Sequence, residues 1–221
     1  MYYLPIILGL IITSGAQLLI KIAYNNYSQI KNKKNLTGFD VARQILDKND
    51  LKDILILETE GTLTDHYDPT KKVIKLSPNI YHGNTISSTS VAAHECGHAI
   101  QDKESYKPMR IRSTIVPTVN LTTKIGYIVI VIGFLFDYRL VWIGTALLLA
   151  MLLFQIITLP VEFNASSRAL KQIDNLNLLT TDEQKGAKKV LTAAALTYVA
   201  SVLTTLLTIL RYALMARSRR R

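Results

Sequence analysis

The sequence predicts a mainly α-helical, multi-pass membrane protein that also carries a small α+β domain. Three observations predict it. Four apolar stretches approach membrane-crossing length, 49% of all residues are hydrophobic, and one polar stretch of about 95 residues separates the first apolar segment from the second. Within that polar stretch, short β-branched runs precede a helix-compatible segment, which is the pattern of a compact α+β unit.

In chain order, residues 1–20 form the first predicted span: Tyr2 to Ile20 is almost wholly apolar and uncharged. About 20 such residues cross about 30 Å of hydrocarbon as a helix. The stretch has no positively charged head and no small-residue cleavage pattern, and its lysines follow it. It is therefore expected as a retained anchor rather than a removed signal peptide. Residues 21–116 are the polar domain and hold 14 of the 26 Lys and Arg. Asp40 to Lys48 has apolar residues at helical spacing. Ile54 to Leu57 and Lys72 to Leu76 read as strands that can pair around a polar connection, Gly61 to Pro69, and can offer an edge to an extended peptide. Residues 117–160 hold two spans, Pro117 to Phe136 and Leu140 to Leu159, joined so briefly by Asp137, Tyr138 and Arg139 that they form a helical hairpin. Gly144, Thr145, Ala146 and Ala150 are small enough for close helix packing there. Residues 161–189 are a second polar helix, expected to open at Pro160, and residues 190–221 are a last span, Val190 to Leu210, with a basic tail.

Charge orients this scheme. Lys21, Lys31, Lys33 and Lys34 after the first span, with Lys107, Arg110 and Arg112 before the second, favour the cytoplasmic side for the polar domain. Arg211, Arg217 and Arg219 to Arg221 oppose that orientation if the fourth segment crosses, and agree with it if that helix lies in the membrane surface. The net charge of +10 comes without any groove-reading or base-stacking motif, which disfavours nucleic acid as a partner and favours anionic lipid. A single cysteine excludes an intrachain disulfide and fits a reducing compartment.

The chemistry lies in His94-Glu95-Cys96-Gly97-His98, an H-E-x-x-H sequence. Residues four apart on a helix stand one turn above each other, so both imidazoles can face one ion. Glu95 lies about 60° from His98 around the helix, where its carboxylate can take a proton from a metal-activated water. Cys96 lies about 200° from His94, on the opposite face, and is a poor ligand candidate. Gly97 leaves room for a second element close to the metal. Two surface histidines would have the same spacing, but Ser87 to Ile100 has alanines around the motif and polar residues before it, as the required helix needs. Asn84 is a possible cap for that helix.

Catalytic zinc sites usually have three protein ligands and a water. Glu162 is the expected third: Ala165, Ser166 and Ala169 share its helix face, and such small residues let that helix approach the first with only the carboxylate reaching out. A role limited to the helix dipole is the simpler alternative for Glu162. His66, near the turn residues Asp65, Asp68 and Pro69, is more readily structural than catalytic, and His82 is read as a loop residue.

Three longer motifs, Leu63 to Pro69, Val91 to Gln101 and Leu159 to Ser166, resemble the neutral zinc metallopeptidase family of bacterial integral membrane proteins, the YugP-like membrane proteases. The resemblance spans nearly the whole chain. It implies a zincin-like, gluzincin-type domain in which His94, His98 and Glu162 hold one Zn²⁺ per chain and Glu95 is the catalytic carboxylate. Two positions depart from the family pattern: Asn164 stands where aspartate is usual and Cys96 where valine is usual. The expected function is zinc-dependent hydrolysis of peptide bonds at the membrane surface with a zinc-activated water, acting on membrane-associated proteins or peptides. The alternatives are a non-catalytic scaffold with a structural metal and a zinc hydrolase of a non-peptide bond.

Overall fold

A computed structural model describes residues 3–218, with the backbone alone at 218; Tyr2 of the first predicted span and Arg219 to Arg221 of the basic tail lie outside the described residues. The elements run α1 (Leu4–Ser28), α2 (Gly38–Lys48), β1 (Leu55–Glu58), β2 (His66–Asp68), β3 (Val73–Leu76), α3 (Pro78–Tyr81), α4 (Ile86–Lys103), α5 (Lys107–Leu135), α6 (Tyr138–Asn175) and α7 (Thr181–Ser218). The protein is mainly α with a small α+β part. Four helices, α1, α5, α6 and α7, are long and apolar enough to cross a membrane.

The chain divides into two compact units. The first comprises Met1–Leu18, Arg110–Pro160 and Leu196–Arg221. Its apolar side chains face outward in numbers that water would penalise: Phe136 is 82% and Leu135 72% exposed. Glycines set its closest helix approach. A Cβ on Gly144 would stand 2.6 Å from Gly126 O, and one on Gly133 2.6 Å from Val141 N, so α5 and α6 pack as a tight hairpin. The turn is fixed by Asp137, whose Oδ1 accepts from the Arg139 backbone N–H at 2.9 Å.

One internal proline corrects the sequence reading. Pro160, expected to open a helix, lies inside α6, just as Pro117 lies inside α5. A proline removes one backbone donor, but a long apolar helix offers the chain no better place for its other polar groups, so the helix continues through it. Glu162 therefore sits deep in α6 and not in a first turn, and the helix-dipole account of that residue loses its basis.

The second unit comprises Leu19–Met109 and Val161–Ala195. Here Thr37 and Asp40 form a reciprocal capping box that starts α2 two residues ahead of the predicted Asp40. Helix α2 lays Val41, Ala42, Ile45 and Leu46 into a core with Ala92, Ala93, Cys96, Ala99 and Ile100 of α4 and Ala169 and Ile173 of α6. Each fully buried Ile or Leu stabilises the fold by about 1.5–3 kcal/mol relative to exposure. The sheet has the order β1-β3-β2: β1 pairs parallel to β3 with Ile56 opposite Ile74, and β2 pairs antiparallel with Tyr67 opposite Ile74. The two predicted strands do pair, but in parallel, because β2, which the sequence reading takes for connection, occupies the other edge of β3. Strand β1 alternates in burial, with Ile56 inside and Leu55 and Leu57 outside, and is an open edge. Helix α4 is capped by Thr85, whose side chain accepts from the Ser88 N–H at 3.1 Å. Asn84, the expected cap, instead accepts the Asn32 N–H on its carbonyl and bonds Asn35 through its side chain.

Candidate metal centre

His94 and His98 lie one turn apart on α4, and Gly97 between them brings that helix close to α6. The contact is closest at Gly97: a Cβ there would stand 2.5 Å from Ala165 O. At that separation Glu162, one turn before Ala165, reaches both imidazoles. Its Oε2 lies 3.3 Å from His94 Nε2 and 3.6 Å from His98 Nε2. The three ligand atoms lie within 4.8 Å of one another, and among the described residues this is the one group of His, Cys, Asp and Glu so arranged. Side-chain exposures of 15%, 12% and 2% for His94, His98 and Glu162 leave the imidazoles reachable and the carboxylate buried.

The donor set fits zinc. Two nitrogens and one oxygen at about 2.0–2.1 Å in a tetrahedron stand about 3.4 Å apart, close to the two separations above, and two imidazoles with one carboxylate form a common catalytic zinc set. Burial disfavours the charged form of His98, but the hydrogen bond to Glu162 and the charges of Glu95 and Glu162 outweigh it, so its pKa lies above the ordinary value. The pocket attracts positive charge. Glu95 is 7% exposed, and burial raises its pKa despite the nearby imidazoles.

Behind the imidazoles stands a layer that sequence reasoning missed. Gln101, fully buried, donates through Nε2 to Val161 O at 2.8 Å and to Asn164 Oδ1 at 3.0 Å. Its Oε1 must then accept, which makes His98 Nδ1 the donor across 3.0 Å and leaves Nε2 as the nitrogen that faces Glu162 and, once deprotonated, can bind a metal. Asn164 is held by Arg168 Nε at 2.7 Å, and Arg168 reaches Glu104 Oε2 at 2.6 Å. Ser166, noted in the sequence only for its size, places Oγ 3.3 Å from His94 Nδ1. The signal available for Gln101 was its place three residues after His98, on the same helix face.

The sequence profile of the family described as "Putative neutral zinc metallopeptidase" matches residues 2–217. The chain belongs to that family. Among relatives, it is similar to a protein of Bacillus subtilis (strain 168) named "Putative membrane protease YugP", with 44% identity over 198 residues that cover 89% of this chain and 88% of the relative. No solved structure matches it. Zinc is the metal that the neutral zinc metallopeptidase family implies, and His94, His98 and Glu162 are this member's group able to hold a metal ion.

The remaining candidates lie apart from that group. Cys96 is fully buried with Sγ 3.6 Å from Ala42 O, and burial pushes its thiol pKa well up. His66 is exposed on β2 with Nδ1 2.8 Å from Thr64 O, and His82 pairs with Glu58 at 2.6 Å on the surface. Tyr67 ties β2 to α4 by donating to Asp102 Oδ2 at 2.9 Å.

Proposed function

We propose that this protein is a membrane-embedded zinc metallopeptidase that hydrolyses peptide bonds at the membrane surface. The observation that carries this reading is the convergence of His94 Nε2, His98 Nε2 and Glu162 Oε2, with the buried Glu95 adjacent in the same helix. His94, His98 and Glu162 would hold one Zn²⁺, which when bound supplies the Lewis acidity that polarises a carbonyl and acidifies water. Glu95 takes the proton of the attacking water and delivers it to the leaving amine. Its burial makes the carboxylate a stronger base than an exposed glutamate. Gln101 and Ser166 orient the two imidazoles through their Nδ1 atoms.

The open edge of β1 supports a peptide as substrate, since an extended chain can add to it by backbone hydrogen bonds. Glu162 follows the apolar stretch Leu140 to Leu159 by three residues in the chain, which favours membrane proteins and juxtamembrane segments as substrates. The lysines flanking the first and second spans favour the cytoplasmic side.

The test is metal content and cleavage of a membrane-inserted reporter by wild type, Glu95→Gln and Glu162→Ala. Glu95→Gln is expected to keep about one zinc per chain and lose cleavage, while Glu162→Ala loses zinc. Cleavage undiminished in Glu95→Gln overturns the assignment of the base, and full zinc retention in Glu162→Ala overturns that of the third ligand.

A further inference from the structure

The membrane unit contains a cavity of about 190 Å³ between α1 and α7. On α7 it is lined by Leu207 and by Thr204, Thr208 and Arg211, the last three at helical spacing over about 10 Å. The facing stripe on α1 includes Gly9 and Thr13. The inner end is closed where the Thr13 and Thr204 hydroxyls meet at 2.9 Å, and Gly9 gives the helices their close approach, since a Cβ there would stand 3.3 Å from Thr204 Cγ2. Thr208 already donates to Thr204 O at 2.8 Å, so its hydroxyl is left as an acceptor and Arg211 is the one charged group that lines the cleft.

Among the described residues Arg211 meets no carboxylate. Its Nε is buried without a hydrogen-bond partner, and its guanidinium carbon stands 5.4 Å from the centroid of the neighbouring Tyr212 ring. Asp137 is the sole acidic residue in the sequence of this unit, against Arg110, Arg112, Lys124, Arg139, Arg211, Arg217 and Arg219 to Arg221. Asp137 is engaged in capping the α5–α6 turn. A guanidinium that follows a long apolar run is stabilised by an anion, and the bilayer has one kind in quantity.

We infer that the cleft between α1 and α7 is a binding site for an anionic phospholipid, whose phosphate meets Arg211 and whose glycerol and upper acyl region fill the space down to the Thr13–Thr204 pair. The volume equals that of about six waters, enough for a headgroup junction and too small for whole acyl chains, which continue into the bilayer. A cation at the rim, hydroxyls along the floor and apolar sides match that segment of a phospholipid. Arg211 lies where the apolar run Val190 to Leu210 ends, the place along a span where basic side chains favour the headgroup region. The site is independent of the metal centre, and neither assignment depends on the other.

The test is lipid retention by the purified full-length protein, delipidated in detergent and titrated with phosphatidylglycerol or phosphatidylcholine under native mass spectrometry. Wild type is expected to hold one phosphatidylglycerol at least about fivefold more tightly than phosphatidylcholine, the effect of one basic side chain on an anionic lipid. Arg211→Gln is expected to abolish that preference and Arg211→Lys to keep part of it. Thr208→Leu, which fills the cleft with its charge intact, is expected to lower retention of both lipids. Arg217→Gln, which removes a charge from the same helix outside the cleft, is expected to change nothing, with circular dichroism reporting the helix content of each variant. Equal retention of the two lipids by wild type, or an unchanged preference in correctly folded Arg211→Gln, overturns the proposal. An equal loss in Arg217→Gln does so as well, because attraction is then diffuse.

Discussion

Gly97→Ala adds one carbon at the tightest point of the α4–α6 contact. That carbon would lie 2.5 Å from Ala165 O, 3.1 Å from Ala165 C and 3.2 Å from its Cα, all backbone atoms that no rotamer change can move aside. A relaxed C–H···O contact is about 3.3–3.6 Å, so the helices must separate locally by about 1 Å. The strain of such overpacking is about 1–3 kcal/mol, against a gain of about 1 kcal/mol in helix propensity, which leaves a net loss of stability of about 0–2 kcal/mol. The metal centre is more sensitive. Glu162 stands one turn before Ala165 and moves with it, so the 3.3 and 3.6 Å separations to the imidazoles, now on either side of the about 3.4 Å that a tetrahedral zinc requires, both become too long. Zinc affinity is expected to fall about 10–100-fold while the unfolding midpoint changes by a few degrees. Competition against a chromophoric chelator measures the first and thermal unfolding in detergent the second. Wild-type zinc affinity in Gly97→Ala would refute the reasoning, because it would mean that helix separation and carboxylate placement are uncoupled.

Two further predictions concern the layer behind the imidazoles. Gln101→Leu removes the acceptor for His98 Nδ1 and the donor to Val161 O, and is expected to lower zinc affinity about 10–100-fold, whereas Asn164→Asp keeps acceptance from Gln101 and Arg168 and is expected to retain zinc; the same chelator competition separates them. Glu104 has its pKa lowered by the hydrogen bond from Arg168. A lowered folded-state pKa gives stability that is present above the unfolded value of about 4.3 and is lost as pH falls through the folded value. Because the Glu104 side chain is 53% exposed, the pH-dependent difference between wild type and Glu104→Gln is expected to stay below about 1 kcal/mol in urea unfolding and to vanish in acid.

What the sequence made legible was what a helix writes locally. His94 and His98 share a face by their spacing alone, and Ala165 and Ala169 declare a close contact for the helix that bears Glu162. Four helices long and apolar enough to cross a membrane were readable because length and the absence of charge are properties of contiguous residues. Less local features were hidden. Strand β2 is three residues long, too short to show alternation, and exists because β3 has a free side. Pro160 reads as a helix start by rules drawn from helices in water, whereas a long apolar helix retains it. Thr85 caps α4 in place of Asn84 because the bridge between Lys31 and Thr85 fixes the chain one residue later. Gln101 is one polar residue among many until its partners, Val161 and Asn164, are known to lie beside it.

The ligand candidates come from α4 and α6, with α5 and the apolar first part of α6 between them in the chain. During synthesis the H-E-x-x-H segment leaves the ribosome first, holding two imidazoles and no third donor. Glu162 follows only after about 60 more residues, by which time the intervening apolar segments have met the translocation machinery. On the proposed reading, a chain that stalls before its third span inserts carries no competent metal centre. Proteolytic power would then belong only to molecules already integrated into the bilayer, and nascent chains would be inert toward themselves and toward their neighbours.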